Sequence, residues 1–325
     1  MSQSSALPVP AHRFAVIGGD GRMLHLAERL AEEGHLVNLL GCGGECLPRH
    51  NVTGEMRICA TLQKAAEDAS TIILPLPVTR DQKNVHCPRD HACTVTLEAL
   101  AELLDRHPAM TLFGGMLPAS LTEGRVGRVM DYYENPVLQL RNAYITAEAA
   151  VMTAMELTDR TLRGTSVAVL GYGRIGKYLA RLLRVLGADV TVCARREESL
   201  FEAAADGCHP LLISEDERRD SLRPLCRNHA ILLNTIPAHV LPRDILLGLE
   251  RDTLLIDLAS APFGVCDGDV REASAQNGLR YLRAPSLPGS YAPRDAGRII
   301  AECILDTLAG REAPPEINET GGTRL

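Results

Sequence analysis

The hexapeptide GYGRIG constrains the fold of this chain more than any other stretch. It follows a short apolar run, Ser166 to Leu170, and precedes a helical pattern that ends at Gly187. In this strand–glycine–helix context, the first glycine permits a tight turn and the second lets the backbone approach a pyrophosphate. The third allows close helix–strand packing, and the positive end of the helix attracts the phosphates. The sequence therefore predicts a dinucleotide site at Gly171, Tyr172, Gly173, Arg174, Ile175 and Gly176.

The apolar runs indicate the same architecture twice. Helical patterns lie between the runs, so each series predicts parallel strands joined by right-handed crossovers. The predicted fold class is α/β, with two Rossmann-like domains built on doubly wound parallel sheets. The first series lies at 14–18, 36–40, 71–76 and 110–113, and the second at 166–170, 190–194, 209–213, 230–234, 253–257 and 279–283.

The domain borders follow from this pattern. The stretch 136–158 is rich in Ala, Met, Glu and Leu and predicts a long helix that joins the domains. We expect a substrate cleft between the two domains. The predicted divisions are a disordered tail at 1–12, a Rossmann-like substrate domain at 13–145, a dinucleotide-binding domain at 146–295, a helix at 296–310 that packs at the domain junction, and a flexible tail at 311–325.

Length and composition limit the possible partners. A chain of 325 residues is too long for one compact core and suits two domains. A net charge of -7 argues against binding to nucleic acid or to an anionic membrane surface, and no apolar run reaches the roughly 18 residues of a membrane span. The ten cysteines include no CxxC pair. Cys59 and Cys193 lie in apolar runs that predict buried strands, so we expect reduced thiols in a cytoplasmic protein.

The end of the second strand in the dinucleotide domain indicates which cofactor binds. An NAD-binding protein usually has Asp or Glu there for the ribose 2′-hydroxyl. This chain has Arg195 and Arg196 instead. Two guanidiniums favour a 2′-phosphate, which an acid would repel. The sequence predicts NADP rather than NAD; the alternative is that both arginines are solvated surface residues of an NAD protein.

Small segments follow later strands of the same domain. In this fold, ligands bind outside the carboxyl ends of the strands. These segments are therefore candidates for holding the nicotinamide and its ribose, and ordinary turn chemistry is the alternative for each one. The candidate cofactor contacts are Asn234, Thr235, Ile236, Pro237, Ser260 and Pro288.

The stretch GGDGRM is an incomplete copy of the glycine motif. Gly18, Asp20 and Met23 occupy its three glycine positions. Asp20 puts a carboxylate where a pyrophosphate would lie, and Met23 crowds the helix–strand contact. We therefore expect the first domain to bind the substrate and not a second dinucleotide.

Polar residues after the third strand of the first domain supply candidate substrate contacts. Thr79 and Arg80 lie in a predicted loop, and Arg80 can bind a carboxylate through two hydrogen bonds. Asn142 and Thr146, near the start of the joining helix, are further candidates. A solvated charged loop is the alternative for the first pair.

A cluster of His and Cys residues follows that loop. The spacing of His86, Cys87, His91 and Cys93 is not a standard zinc motif, so a metal site is the weaker interpretation. Neutral imidazole takes up a proton near pH 7. His86 or His91 is therefore the candidate general base, and we assign His86 to the catalytic set.

Together these stretches resemble the A subunit of dipicolinate synthase, a family from endospore-forming bacteria. The resemblance runs from about residue 13 to 310, and the segments HCPRDHAC (86–93) and APFG (261–264) depart from the family pattern. It is carried by FAVIGGDGRMLHLAERL (14–30), ILPLPVTRD (73–81), VAVLGYGRIGKYLARLLRVLGADVTVCAR (167–195), NTIP (234–237), LIDLASAPFGVCD (255–267) and LPGSYAPRDAGRIIA (287–301).

The resemblance implies an NADP-dependent oxidation in the mother cell of a sporulating bacterium. Its substrate would be dihydrodipicolinate, a small dicarboxylate of the lysine pathway, and its product aromatic dipicolinate. The resemblance also implies a flavoprotein-like partner, which is the B subunit of dipicolinate synthase, and we expect a homo-oligomer. Two alternatives stay open: an NAD(P)-dependent dehydrogenase of a 2-hydroxy or amino acid, and a non-catalytic NADP-binding regulatory protein.

Overall fold

The structure of the chain is a computed structural model that describes residues 12–43, 54–125, 127–214, 216–227 and 229–310. The tails predicted at 1–12 and 311–325 lie outside the described residues, apart from His12. The described chain divides into two compact units. The first unit holds the described residues up to Gln139 and from Pro293 onward, and the second unit holds Leu140–Ala292.

The described part of the first unit alternates strands with helices. Its strands are β1 (Arg13–Ile17), β2 (Leu36–Leu40), β3 (Glu55–Ile58), β4 (Thr71–Ile73), β5 (Thr111–Gly114) and β6 (Val129–Asp131). Its helices up to this point are α1 (Gly21–Glu32), α2 (Leu62–Ala66), α3 (Leu97–Arg106) and α4 (Ala119–Thr122), with a 3₁₀ turn at Tyr132–Glu134. The helix α5 (Pro136–Leu157) has 22 residues and contains the division between the units, which confirms the long helix predicted at 136–158.

The second unit repeats the alternation. Its strands are β7 (Ser166–Leu170), β8 (Asp189–Ala194), β9 (His209–Leu212), β10 (Ile231–Asn234), β11 (Leu254–Asp257) and β12 (Arg280–Arg283). Its helices are α6 (Arg174–Val185), α7 (Glu197–Ala205), α8 (Arg218–Leu222), α9 (Arg243–Gly248), α10 (Asp267–Asn277) and α11 (Leu287–Tyr291), with a 3₁₀ turn at Arg223–Cys226. The chain then returns to the first unit in α12 (Pro293–Leu308).

Each unit contains one parallel sheet with the same strand order. The orders are β3-β2-β1-β4-β5-β6 and β12-β11-β10-β7-β8-β9. Counted from the first strand of each unit, both are the doubly wound arrangement of dinucleotide-binding folds. In each sheet the order reverses beside the first strand, and ligands bind at the carboxyl ends of the strands at such a reversal. The predicted fold class is confirmed.

The central strands are continuous apolar runs because helices cover both faces of each sheet. In β1, the residues from Phe14 to Ile17 are fully buried. Cys193 on β8 is also fully buried, as predicted. The prediction for Cys59 is wrong: it is half-buried and follows β3, an edge strand whose side chains are largely exposed. No helix of the described chain is long and apolar enough to cross a bilayer.

The C-terminal helix α12 packs closely on α1 within the first unit. A Cβ at Gly297 would lie 2.2 Å from the carbonyl oxygen of Arg22 and 2.9 Å from the backbone nitrogen of Leu26. Backbone atoms cannot move aside as side chains do, so this contact requires glycine. Ala296 and Ile300 flank it as buried apolar residues.

We expect Gly297→Ala to destabilise the protein by about 2 kcal/mol, because the new methyl group overlaps the backbone of α1. The measurement is urea unfolding followed by circular dichroism. Gly268→Ala is the matched control, since Gly268 is also helical but a Cβ there would meet no described atom within 4 Å. That change should be neutral or stabilise by up to about 1 kcal/mol. Equal stabilities for both variants would contradict the packing of α12 on α1.

Candidate functional site

The turn between β7 and α6 leaves space for a ligand. Gly171 has a φ of +98°, which favours glycine. A Cβ at Gly176 would lie 2.1 Å from the carbonyl oxygen of Gly171, so only glycine lets α6 approach the strand this closely. A Cβ at Gly173 would meet no atom of the described chain within 4 Å. Packing inside the protein therefore does not require glycine at 173, and the open space fits a pyrophosphate.

The first turn of α6 offers backbone donors to that space. No described side chain caps the helix at Gly173, so the N–H groups of Arg174 and Ile175 remain for an anion. Tyr172, which is predicted as part of the same glycine turn, also lies beside this space. Its side chain is 3% exposed, and its hydroxyl donates a hydrogen bond to Asp206. The ring belongs to the core, and the backbone of Tyr172 is the part left for a ligand.

A cavity of about 660 Å³ extends from this turn along the ends of β7, β8, β9 and β10. Arg195 and Arg196 lie on its wall and are exposed at the end of β8. Glu197, in the first turn of α7, is an acid on the same wall. The cavity brings the two predicted arginines together with the glycine turn. Its lining is Gly171, Tyr172, Ala194, Arg195, Arg196, Glu197, Ser199, Leu212, Ile213, Ser214, Thr235, Ile236 and Pro237.

The predicted ligand contact of Asn234 is replaced by a buried structural role. Its side chain is completely buried and donates to Asp257 Oδ1 at 2.8 Å and to the Ile236 carbonyl at 3.0 Å. Its Oδ1 accepts from the backbone N–H of Ile236 at 3.1 Å. The fully buried Asp257 also accepts from the N–H of Gly264 at 2.8 Å. Asn234 and Asp257 thus fix the loops after β10 and β11.

Sequence reasoning missed Asp257, although its position gives a signal. An acid at the end of an apolar strand needs hydrogen-bond partners when it is buried. Glycine at 264 is part of the same arrangement, since a Cβ there would lie 2.3 Å from Asn234 Nδ2.

The other predicted cofactor contacts have mixed surroundings. Thr235 donates its hydroxyl to the Leu170 carbonyl at 2.8 Å and packs against Gly171, while Ile236 and Pro237 line the cavity. Ser260 is exposed in the loop after β11, and Pro288 is buried in α11. The segment 235–237 therefore lines the cavity, whereas Ser260 and Pro288 are not among its lining residues.

The incomplete glycine motif in the first unit has the same backbone geometry as the complete one. Asp20 caps α1 with φ -88° and ψ -164°, and Gly173 caps α6 with φ -83° and ψ -163°. The Asp20 carboxylate accepts from the backbone N–H of Arg22 at 3.1 Å and from its guanidinium at 2.9 and 2.8 Å. The anion position of this turn is therefore filled by the protein's own carboxylate.

Arg22 pairs with Asp20, and the sequence analysis did not predict this pairing. It is 5% exposed and donates to the Leu76 carbonyl at 2.6 Å. Burial alone would raise the pKa of Asp20, but hydrogen bonds and charge from Arg22 lower it. Burial alone would lower the pKa of Arg22, but Asp20 raises it. The two form an ion pair, with Arg22 buried and Asp20 half-buried, that holds α1 to the segment after β4.

A segment of the same unit fills the crevice beside this turn; we call residues 85–93 the plug. A Cβ at Gly18 would lie 2.8 Å from a methyl carbon of Val85 and 2.9 Å from Cys87 Sγ. Arg89 lies close to Gly43, with Nε 3.1 Å from the position of a Cβ. The ends of β1 and β2 are thus covered by the plug. The equivalent ends of β7 and β8, by contrast, border the cavity.

The structure brings His86 and Arg80 close enough to interact. The backbone of His86 accepts from Gly19 at 2.7 Å and donates to Val78 at 2.8 Å. Burial lowers the pKa of His86, and the charge of Arg80 lowers it further. Thr79 is mostly buried, and its hydroxyl donates to Asp81 at 3.1 Å. His86 is therefore neutral at pH 7, while Thr79 shapes the loop that carries the exposed Arg80.

Asn142 and Thr146 lie one turn apart on α5, in the second unit. Thr146 is buried and donates its hydroxyl to the Asn142 carbonyl at 2.8 Å. Asn142 is half-buried. This geometry gives Thr146 a bond within the helix and leaves the Asn142 side chain as the more accessible of the two.

The His and Cys residues of the plug do not converge as ligands. Within the described ranges, no group of three or more His, Cys, Asp or Glu side chains is arranged to hold a metal ion. Cys87 and Cys93 contact the turns after β1 and β2 instead.

Comparisons with known proteins agree with this arrangement. Residues 13–132 match the model of the N-terminal domain of the dipicolinate synthase A subunit, and residues 132–238 match that of the D-isomer specific 2-hydroxyacid dehydrogenase NAD binding domain. The chain is 32% identical over 305 residues to the dipicolinate synthase A subunit of Bacillus subtilis (strain 168), covering 93% of this chain and 97% of that protein.

Solved structures give the same result. The dipicolinate synthase A subunit from Bacillus halodurans superposes with a TM-score of 0.75 at 29% identity, covering 94% of this chain and 99% of that one. The corresponding chain of the Bacillus subtilis enzyme gives 0.75 at 29% identity, covering 93% and 97%. A transhydrogenase from Sinorhizobium meliloti shares the fold at 16% identity, with a TM-score of 0.65 and coverage of 93% and 94%.

The second unit carries an NAD(P)-binding dehydrogenase domain, which makes the chain an oxidoreductase with a nicotinamide cofactor. The relative from Bacillus subtilis matches over nearly the whole length of both chains. The chain therefore belongs to the family of dipicolinate synthase A subunits.

Proposed function

We propose that this chain oxidises a dihydrodipicolinate to dipicolinate with NADP. The observation that carries the proposal is the combination, in one chain, of an open glycine turn with a first unit that matches the N-terminal domain of the dipicolinate synthase A subunit. The ring loses one hydride and one proton and becomes aromatic, which makes the reaction favourable. The protein then contributes mainly orientation and a site for the proton.

The cofactor is held by the second unit in this proposal. The amides of Arg174 and Ile175 bind the pyrophosphate, and Gly173 gives it room. The guanidiniums of Arg195 and Arg196 bind the 2′-phosphate, which selects NADP over NAD. When bound, the oxidised nicotinamide supplies the hydride acceptor.

The substrate is a dianion and is held through the first unit. Arg80 binds one carboxylate, and Thr79 keeps the Arg80 loop in place through Asp81. His86 accepts the proton, because burial and Arg80 keep it neutral at pH 7. Asn142 supplies a further hydrogen bond to the substrate, and Thr146 positions that turn of α5.

The biological setting belongs to the same proposal. The name of the relative implies a second component of the enzyme, and we assign the flavoprotein-like B subunit of dipicolinate synthase as the partner. We place the reaction in the cytoplasm of the mother cell during sporulation, with the chain acting as a homo-oligomer.

The primary experiment follows reduced-nicotinamide absorbance with purified chain, dihydrodipicolinate generated in situ, and either NADP or NAD. Rapid reduction of NADP with formation of dipicolinate supports the proposal. Turnover of simple 2-hydroxy or amino acids in its place would reject the substrate. Tight NADP binding without turnover, both alone and with the B subunit, would assign a regulatory role instead.

Gly173→Asp recreates in the second unit the carboxylate that Asp20 supplies in the first. We expect NADP affinity to fall by about 100-fold, roughly 2.8 kcal/mol, because the new charge competes with the pyrophosphate. The fold should persist, since a Cβ at 173 meets no described atom within 4 Å. Isothermal titration calorimetry measures the affinity, and Gly268→Asp is the control in equally open surroundings. Unchanged affinity in Gly173→Asp would remove the turn from the cofactor site.

The double variant Arg195→Ala with Arg196→Ala tests cofactor selection. NADP affinity should fall by about 10- to 100-fold, while NAD affinity changes by less than about twofold, because only NADP carries the 2′-phosphate. Arg219→Ala is the control, since Arg219 is exposed in the same unit and pairs with Asp244. Equal losses for both dinucleotides would reject the assignment.

Arg80→Ala tests the substrate site and the state of His86 together. We expect the KM for the dianion to rise by about tenfold or more, with NADP affinity unchanged. The rate kcat/KM should fall as the pH drops below the ordinary histidine value, because protonated His86 cannot accept a proton. Removing the Arg80 charge raises the pKa of His86, so this acidic limb moves to higher pH. The control Arg106→Ala, on the exposed surface of α3, should change neither quantity. A limb that stays in place would separate Arg80 from His86.

A further inference from the structure

Two thiols of the plug are neighbours across one glycine. A Cβ at Gly41 would lie 2.8 Å from Cys93 Sγ and 3.2 Å from Cys87 Sγ. Both residues are half-buried, so neither is fully enclosed by the protein.

The backbone of the plug holds these two cysteines together. The N–H of Asp90 donates to the Cys87 carbonyl at 3.3 Å, and the N–H of Cys93 donates to the Asp90 carbonyl at 3.1 Å. The Asp90 side chain also accepts from the Cys93 N–H at 3.2 Å. Two successive turns therefore fold the backbone between Cys87 and Cys93 and keep the two residues close to each other.

A third thiol nearby, that of Cys42, is buried and bonded to the backbone. Cys42 is 2% exposed and donates to the carbonyl of Gly18 at 3.3 Å. Its burial separates it from any oxidant in solution. Among the described cysteines, the pair at this position that is not fully buried is Cys87 with Cys93.

We propose that Cys87 and Cys93 form a reversible disulfide by exchange with a low-molecular-weight disulfide. The Cys93 thiolate attacks one sulfur of the small disulfide, whose S–S bond breaks and releases one small thiol. The Cys87 sulfur then attacks Cys93 Sγ, and the second small thiol leaves. The protein dithiol is oxidised by two electrons, and the small disulfide is reduced to two thiols.

The chemistry of the two sulfurs sets the order and the rate. Cys93 is the first to react, because Cys87 Sγ lies between the turns at Gly18 and Gly41. Burial raises the pKa of both thiols, that of Cys87 to about 12. Exchange at neutral pH is therefore slow and accelerates as the pH rises.

The pair is coupled to the substrate site, a step that rests on the proposed function. His86 precedes Cys87 directly, and its backbone is bonded to Gly19 and Val78. A disulfide requires an S–S distance of about 2.05 Å, so bond formation constrains the Cys87 side chain, which is adjacent to His86 in the chain. The proposed coupling passes from Cys87 to His86 through this direct neighbour relation.

The test is peptide mapping of the full-length protein after equilibration with oxidised glutathione at pH 8.5. Trypsin cuts after Lys83, Arg89 and Arg106, so Cys87 and Cys93 fall in the separate peptides 84–89 and 90–106. We expect these two peptides to be joined without reductant and separate after dithiothreitol. Cys93→Ser should abolish the joined species, and Cys226→Ser, at a half-buried thiol of the second unit, should leave it.

Three results would overturn the proposal. They are a link between Cys42 and either plug cysteine, glutathione attached to Cys87 and Cys93 separately, and both thiols free while the exposed Cys266 is modified. Cys42→Ser should preserve the 84–89 to 90–106 link.

Turnover of dihydrodipicolinate tests the coupling. Oxidation should lower kcat by about tenfold, reversibly with dithiothreitol, because an ångström-scale displacement of a reacting group costs up to about 100-fold. Cys93→Ser should show no change on the same treatment. A linked protein with unchanged kcat would reject the coupling. A protein that is inactive before oxidation, both alone and with the B subunit, would reject the proposed function and leave the peptide map valid.

Discussion

The first turn of a helix that follows a parallel strand exposes backbone amides that need an electronegative partner. Both units contain such a turn, after β1 and after β7, with nearly identical backbone angles at Asp20 and Gly173. The two units differ in what occupies the space in front of this helix, and this difference determines whether a ligand can bind there. At Gly173 the space is open to a ligand. At Asp20 a carboxylate of the protein already occupies it.

The same division extends along the neighbouring strand ends. In the second unit, the ends of β7 to β10 border a cavity of about 660 Å³. In the first unit, the plug lies on the turns after β1 and β2, where Gly18, Gly41 and Gly43 admit it. The glycines therefore have different roles in two turns of similar backbone geometry. They make room for a cofactor in one unit and for another segment of the chain in the other.

The sequence predicted the parts of the fold that depend on local pattern. Apolar runs located the central strands, because burial on both faces demands them. The strands β3 and β6 escaped prediction, since β3 is an exposed edge and β6 has only three residues. The glycine motif was predictable because Gly171 and Gly176 meet local steric requirements and Gly173 leaves room for a ligand.

Contacts between distant segments were beyond the sequence pattern. Asn234 was assigned to the ligand because it ends a strand, yet its partner Asp257 is 23 residues away and both are fully buried. The plug was noticed for its His and Cys content, but nothing in its composition indicates that it packs on Gly18 and Gly41. Tyr172 shows the same limit, because its hydroxyl bonds to Asp206, 34 residues later.

In the proposed function, the Asp20–Arg22 pair also lets a chain of net charge -7 receive a dianion. An unpaired carboxylate at the end of α1 would repel the proposed substrate. Arg22 neutralises it in place, with one guanidinium nitrogen still bonded to the Leu76 carbonyl. The backbone amide at the start of α1 then has a hydrogen-bond partner, and the pair carries no net negative charge. Arg80 and the neutral His86 therefore determine the charge around this site. An ion pair contributes little net stability by itself. In this position its proposed value lies in removing a charge that the dianion would otherwise meet.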